Sequence, residues 1–573
     1  MDSLEELISA ARCEIEVDLL IVGADIVNTL SGELHRADVA IHKGRIAGFD
    51  CSSARETIDL TGFILSPGFI DGHVHIESAM VTVPEYARTV VPKGATSVVA
   101  DPHEIANVLG IEGIRYMLGS SGHVPLNIFI MLSSCVPATN LETSGAVLDA
   151  GSLEDLISVD HVPGIAEMMN YPGVIFRDPE VLKKIRLAHG CRKRIDGHSP
   201  KLTGKDLTAY IAAGITSDHE CTSVGEAREK LRKGMYIMVR EGSAAKNLLD
   251  LLPLITPRNA RRFMFVSDDR HPADILKEGH IDFMIRTAIK HGLDPILALQ
   301  IASLNAAEYF GLGDLGSIAP GYRADIAVLD DLQSPNVMKV FKDGKLVAED
   351  GDLIARLEAA PAPKSSAMRI GEIDAGSFEI TAKSSKARVI GVIPDQIITK
   401  SMIYGVKAAD GRVVADTDRD ILKMAVVERH NASGNVRLGL VKGFGFQAGA
   451  IATSVAHDSH NIAVVGTSSE DMLASIMAVK EMNGGLVVVK DGLVKARLPL
   501  PVAGLMSERY MREVADGIDD CIDAAHGLGS DLKDPFMTLS FLCLPVIPEL
   551  KLTDLGLVDV NKFSFVPLFV EDT

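Results

Sequence analysis

Two rhythms of apolar and polar residues alternate along this chain. Residues 1–16 read as a short amphipathic helix. From Val17 onward, short strand-like runs are broken by glycine-marked turns: Asp18–Val27, then Arg36–Phe49 with Lys43-Gly44 at a hairpin turn. The same texture returns at Ala319–Asp330 and Val337–Val347. Two β-rich flanks around a central block predict one small β-sandwich assembled from both, residues 1–68 and 313–357.

The block between them, 69–312, alternates strand-like runs with helical stretches. The runs are Phe69–His75, Thr96–Asp101, Asn127–Leu132, Gly164–Met168, Arg194–His198, Ile215–His219, Tyr236–Arg240 and Phe263–Ser267. Eight such runs in about 244 residues have the size of a (β/α)8 TIM-type barrel. A Pro/Ala/Ser linker follows at 358–368, and then residues 369–573. That last block mixes strands such as Ala387–Ile393 with helices such as Glu470–Met482 and reads as a separate α+β domain. The expected fold class is therefore α/β: a barrel, a sandwich built from both flanks, and a C-terminal α+β domain.

Composition narrows the function. With 573 residues, 47% of them hydrophobic and 23% charged, the chain has an ordinary globular balance and is too long for one core. Its net charge of -20 argues against a nucleic-acid or anionic-membrane surface, since both need clustered Lys and Arg. No apolar run approaches the roughly 18 residues of a membrane span, and the acidic start Met1–Glu6 does not read as a secretory signal. Seven cysteines without a Cys-x-x-Cys read as reduced thiols of a cytoplasmic protein.

Chemistry collects at the C-terminal ends of the predicted barrel strands, where barrel enzymes place their sites. The first run ends in His73-Val74-His75, and residues two apart on a strand share a face. The fourth carries Glu167, the fifth ends at His198, the sixth at His219, and Asp268 follows the eighth. Each has a plain alternative. Glu167 could pair with a buried cation, and His198 could be a turn residue beside Ser199-Pro200. Their joint placement carries the reading. Four imidazoles and two carboxylates suit two divalent ions bridged by a carboxylate and a hydroxide, with bound water acidified toward neutrality. Asp268 would act as general base and then acid, and Glu167 as the bridge: hydrolysis at a carbon with a leaving group.

These residues resemble the amidohydrolase superfamily over roughly 17–350. Pro67–Ser78, Asp101-Pro102-His103-Glu104-Ile105-Ala106-Asn107, Gly164–Asn170, Asp196–Pro200, Ser217–Glu220 and the extra C-terminal domain are similar to its bacterial adenine deaminase family. Glu167 stands where many superfamily members carry a carboxylated lysine. The resemblance implies hydrolysis of adenine to hypoxanthine and ammonia in purine salvage, by a metal-bound hydroxide attacking C6. It also implies a binuclear manganese or iron centre, with zinc as a third candidate. The expected assembly is a homo-oligomer, with a dimer as the leading form.

Several residues keep two readings. Glu77, His103 and Glu104 either contact the purine or brace the ligand loops. Arg240 and Ser243, at the end of the seventh run, either line the pocket or form a salt-bridged turn. Ser454–Asn461, with His457 and His460, reads as a metal motif, a lid or subunit contact, or a polar turn. The rival functions are another amidohydrolase, acting on a cyclic amide or a different aminated heterocycle, and a non-catalytic scaffold. The scaffold should have lost ligands, and none is missing.

Overall fold

In this computed structural model, which describes residues 3–357, 363, 367–394 and 396–571, each of the eight runs contains a strand. They are β1 (Phe69–Val74), β2 (Ala95–Ala100), β3 (Asn127–Ile130), β4 (Gly164–Met168), β5 (Arg194–Gly197), β6 (Ser217–Asp218), β7 (Tyr236–Arg240) and β8 (Phe263–Val266). Parallel ladders join β1 to β2 and β2 to β3, β4 to β5, and β6 through β7 to β8. Single backbone contacts close the gaps. Leu132 pairs with Ile165, Thr216 N donates to Ile195 O at 3.2 Å, and Asp268 N donates to His73 O at 3.0 Å. The last contact joins β8 back to β1 and makes the ring a barrel.

Every residue of β1, β2, β3 and β8 is buried, as expected for parallel strands covered on both faces. Ile70, Val99, Phe129, Met131, Ala166, Met238, Met264 and Val266 fill the interior. Gly72 is part of that fit: a Cβ there would lie 2.9 Å from Met264 Sδ. Removing the side chain lets the β1 backbone approach β8 just before the two histidines.

The flanks meet as the hydrophobic pattern predicts. One seven-stranded sheet combines Asp25–Asn28, Glu33–Arg36 and Ile64–Pro67 with Ile326–Leu329, Val337–Lys342, Lys345–Glu349 and Asp352–Leu353. A four-stranded sheet comes from residues 17–59 alone, and Leu19, Ile21, Ile41, Leu65, Val328 and Phe341 form the core shared by the two. One cysteine expectation is overturned: Cys13 and Cys51 form a disulfide, with Cα atoms 5.3 Å apart. The helix Ser3–Ala11 packs on the Arg45–Gly48 strand region and brings together two thiols 38 residues apart, a pairing no local spacing announces. The other five cysteines are free.

The predicted linker 358–368 lies largely outside the described residues. Beyond it, the C-terminal domain is a nine-stranded sheet sandwiched between layers. In its strand Gly485–Lys490, Val487 and Val489 pack toward the helix Ser469–Glu481, while Leu486 and Val488 join the apolar core shared with the helix Met511–His526 and the barrel. Both faces are covered, so the strand reads as a continuous apolar run. The domain sits over the C-terminal end of the barrel. Thr82 N donates to Ser507 O at 3.0 Å, Ser507 N to Met80 O at 2.8 Å, and Asn461 Nδ2 to Thr143 O at 2.7 Å. Among the described residues, no helix is long and apolar enough to cross a membrane.

Candidate metal centre at the barrel mouth

The six predicted ligand residues converge on one point at the strand ends. His75 Nδ1 lies 2.9 Å from the Asp101 carbonyl, so it carries the ring proton and turns the Nε2 lone pair inward. That Nε2 is 3.2 Å from Asp268 Oδ1 and 3.5 Å from Glu167 Oε1. His73 Nε2 is 3.4 Å from Asp268 Oδ1. On the other side, His198 Nδ1 and His219 Nε2 lie 2.7 and 3.1 Å from Glu167 Oε2. Donors around a tetrahedral ion with roughly 2.1 Å bonds are about 3.4 Å apart, so this is the spacing of a ligand cage. All six are buried except His198, which is half-buried.

Electrostatics matches the geometry. Burial opposes charge on Glu167, yet His198 and His219 hold its carboxyl well below the usual range. Burial likewise opposes charge on Asp268, and Arg240, His73 and His75 hold it down. Conversely, burial and His103 work against a charged His75, but Asp268, Asp269 and Glu167 lift it well above its ordinary value. His219 rises to about 9 against its burial, through Glu167, Asp268 and Glu220. A site that binds protons this tightly carries the negative potential that attracts a cation. His73 Nε2 is also buried without a hydrogen-bond partner. The donor set, the spacing and this orphaned nitrogen fit a divalent metal.

Supporting contacts hold these candidate ligands. Asp218, just before His219, accepts from Ser199 N and Oγ, both at 2.8 Å, and so links the loops of His198 and His219. Lys230 Nζ, with no exposed surface, lies 3.0 Å from Asp218 Oδ2, 2.8 Å from Glu226 Oε1 and 2.7 Å from Ser199 O. Asp268 sits in the left-handed region with φ 54°, costly for a non-glycine residue, where its amide bonds β1.

The five residues with two readings separate. Glu77 lines a small cavity directly beside the cluster. Its Oε1 accepts from Ile105 N at 3.2 Å, its Oε2 is buried without a partner, and burial lifts the carboxyl to about 7. Glu104 lines the same cavity and is gripped by His457 and His460. His103 is a brace, with Nδ1 3.1 Å from Asp101 Oδ2 and 3.3 Å from Glu167 Oε1. Arg240 turns toward the cluster, donating to Asp268 Oδ2 at 3.0 Å and to Glu220. Ser243 is engaged by Asp274 and by His271 N, and its loop reaches the cavity through Ala244. Sequence reasoning missed Asp269 and His271 as cavity residues; the Asp-Asp-Arg-His run after β8 was the available signal.

Comparison with known proteins decides the lineage. Residues 64–347 match the amidohydrolase family, and residues 396–564 match the adenine deaminase C-terminal domain. The chain is 52% identical over 566 residues to an adenine deaminase of Desulfatibacillum aliphaticivorans, covering 99% of each chain. It is also 52% identical over 570 residues to adenine deaminase 2 of Carboxydothermus hydrogenoformans, covering 99% of this chain and 100% of that one. The chain belongs to the adenine deaminase family. A third member, from Methanothrix thermoacetophila, is 52% identical over 569 residues. The adenine deaminase relatives match both parts of the chain, so the C-terminal domain belongs to the family's architecture. The amidohydrolase match implies a divalent metal centre.

Proposed function

We propose that this protein hydrolyses adenine to hypoxanthine and ammonia, using two divalent ions, manganese or iron, held by His73, His75, Glu167, His198, His219 and Asp268. The observation that carries the reading is full-length identity of 52% to adenine deaminases, in a chain whose six ligand-type residues meet at one barrel mouth. Glu167 would serve both ions, since Oε1 faces His75 while Oε2 faces His198 and His219. When bound, such ions polarise water and lower its pKa toward neutrality.

The chain's own residues then manage protons and position. Asp268 is fixed through Oδ2 by Arg240, which leaves Oδ1 to accept a proton from the attacking water and return it to the departing amino nitrogen. Oxygen adds at C6, the amino group leaves as ammonia, and the second water proton ends on ring nitrogen N1. Glu77 lines the cavity two residues from His75, and its buried, unpartnered Oε2 would be the group to hydrogen-bond the ring as charge moves onto it. The covering C-terminal domain excludes bulk water. We also take the protein to act as a homodimer in the cytoplasm; its mass in solution tests the first point.

An ammonia-release assay on manganese- or iron-loaded protein tests the function, with adenine, adenosine, cytosine, guanine and a cyclic amide as substrates. Release from adenine is expected to dominate. Unchanged adenine absorbance, together with opening of the cyclic amide, would overturn the reading.

A further inference from the structure

The C-terminal domain supplies about half of the cavity wall, through residues that include Val455, His457, His460 and Phe541. Its loop 454–461 joins the strands Ala450–Thr453 and Ile462–Gly466 and is pinned across the domain boundary. Ser459 Oγ donates to Glu142, and Asn461 Nδ2 donates to Thr143 O at 2.7 Å.

At this loop, Glu104 of the barrel meets His457 and His460, all three buried, with donor atoms close enough to hold an ion. The hydrogen bonding argues otherwise. His460 Nδ1 accepts from Ala456 N at 3.2 Å, so a neutral ring carries its proton on Nε2, the atom that meets Glu104. That nitrogen donates and has no lone pair for a metal. The cluster is a carboxylate held by two imidazoles.

His457 differs from His460 in what it leaves free. Its Nδ1 is 2.9 Å from Glu104 Oε1, and its ring stacks on Phe541 with centroids 4.8 Å apart and planes 21° from parallel. Ring position and tilt are therefore set from two sides. Nε2 has no partner among the described residues, and the ring lines the cavity. Burial opposes charge on this ring, but Glu104, Asp269 and Asp458 outweigh it and lift it to about 9, so Nε2 carries a proton at neutral pH. The cavity thus brings the His457 ring of one domain and Glu77 of the other, whose buried Oε2 has no partner, together beside the Phe541 ring.

We propose that His457 of the C-terminal domain is a substrate-contacting residue that donates from Nε2 to a ring nitrogen of the purine, and that Glu104 is its positioning residue. The proposal rests on the adenine reading above. It makes the C-terminal domain part of the active site. Because the contact holds one lone pair of the ring, it also makes the domain a determinant of which heterocycle is accepted.

The test uses the full-length, metal-loaded protein and its His457→Ala and His457→Gln variants. Metal content and thermal melting are measured alongside ammonia release from adenine and inhibition by 1-deaza-, 3-deaza- and 7-deazaadenine. The wild type should bind the analogue lacking the contacted nitrogen more weakly than the other two, by roughly tenfold to a hundredfold. His457→Ala should lose kcat/KM for adenine by a similar factor, keep its metal, and no longer distinguish that analogue. His457→Gln, which keeps an N–H donor, should recover part of the loss, and it carries the test alone if the alanine variant does not fold. Unchanged discrimination in the variants, or equal weakening of all three analogues, overturns the proposal. A wild type that releases no ammonia from adenine overturns the adenine reading itself, and the same assay separates the two failures.

Discussion

Lys230 is the residue whose removal should cost the metal centre most without touching a ligand. All three of its ammonium protons are spoken for, by Asp218, Glu226 and the Ser199 carbonyl, and it is wholly buried. Lys230→Met keeps much of the volume and deletes the charge. Burial opposes the ionised Asp218, yet Lys230 and His219 hold its carboxyl at about 2, against an ordinary value of 3.8. That depression alone corresponds to about 2 kcal/mol. With Glu226 and the Ser199 carbonyl also left unpaired, the total should reach about 3–5 kcal/mol, the usual cost of breaking a buried ion pair. The sign follows from the direction of the shift. Asp218 contributes stability above pH 3.8 and loses it as pH falls to about 2, so the gap between variant and wild type should be widest near neutral pH and narrow as pH falls toward 2. Urea unfolding of metal-stripped protein, followed by circular dichroism, reads the barrel transition. Elemental analysis of reloaded protein reads the metal. The variant should show an earlier midpoint and weaker metal retention, since Asp218 ties the loops of His198 and His219 together. Lys230→Met combined with Asp218→Asn should recover a large part of the loss, because the stranded charge is gone. An unchanged midpoint in the single variant, or no recovery in the double, would refute the reasoning.

Glu142 gives the opposite pH dependence. Burial, opposed by Ser459 and assisted by Asp458, lifts its carboxyl to about 8, so its contribution is complete below about 4.5 and is lost as pH rises through 8. Glu142→Gln should flatten a decline of several kcal/mol across that window in a pH series of melts; an equally steep decline would show that another group is responsible. Metal uptake should release protons at neutral pH, because His219 is held at about 9 without metal. Calorimetry in buffers of different ionisation enthalpy counts those protons, and a count of zero contradicts the proposed ligand set. Glu167→Ala should leave fewer than two ions per chain and abolish turnover, and retention of both ions would exclude Glu167 as the bridge.

Much of the barrel and its chemistry could be read locally. Each ligand-type residue stands at the end of a short apolar run, so a pattern a few residues long locates both the strand and the side chain that leaves it. His73 and His75 share a face because alternate residues do, and Glu167, His198, His219 and Asp268 follow from the same placement. The sandwich was legible because the glycine-turn texture of residues 18–49 reappears at 319–347. Less was readable where a side chain chooses between partners that are remote in sequence. Arg240 reads equally as a pocket residue or a salt-bridge partner; the fold turns it to Glu220 and Asp268, 20 and 28 residues away.

What the sequence by itself determined is therefore the periodic part: eight strands, the ligand-type residues at their ends, the flanking β unit and the acidic balance that disfavours polyanions. Tertiary structure alone decided which groups complete the site. Glu104 meets His457 and His460 across 353 and 356 residues, and Cys13 meets Cys51 across 38. Periodicity reports only which face of an element is buried. Which element covers it depends on how distant surfaces pack, and that packing closes the C-terminal domain over the barrel mouth.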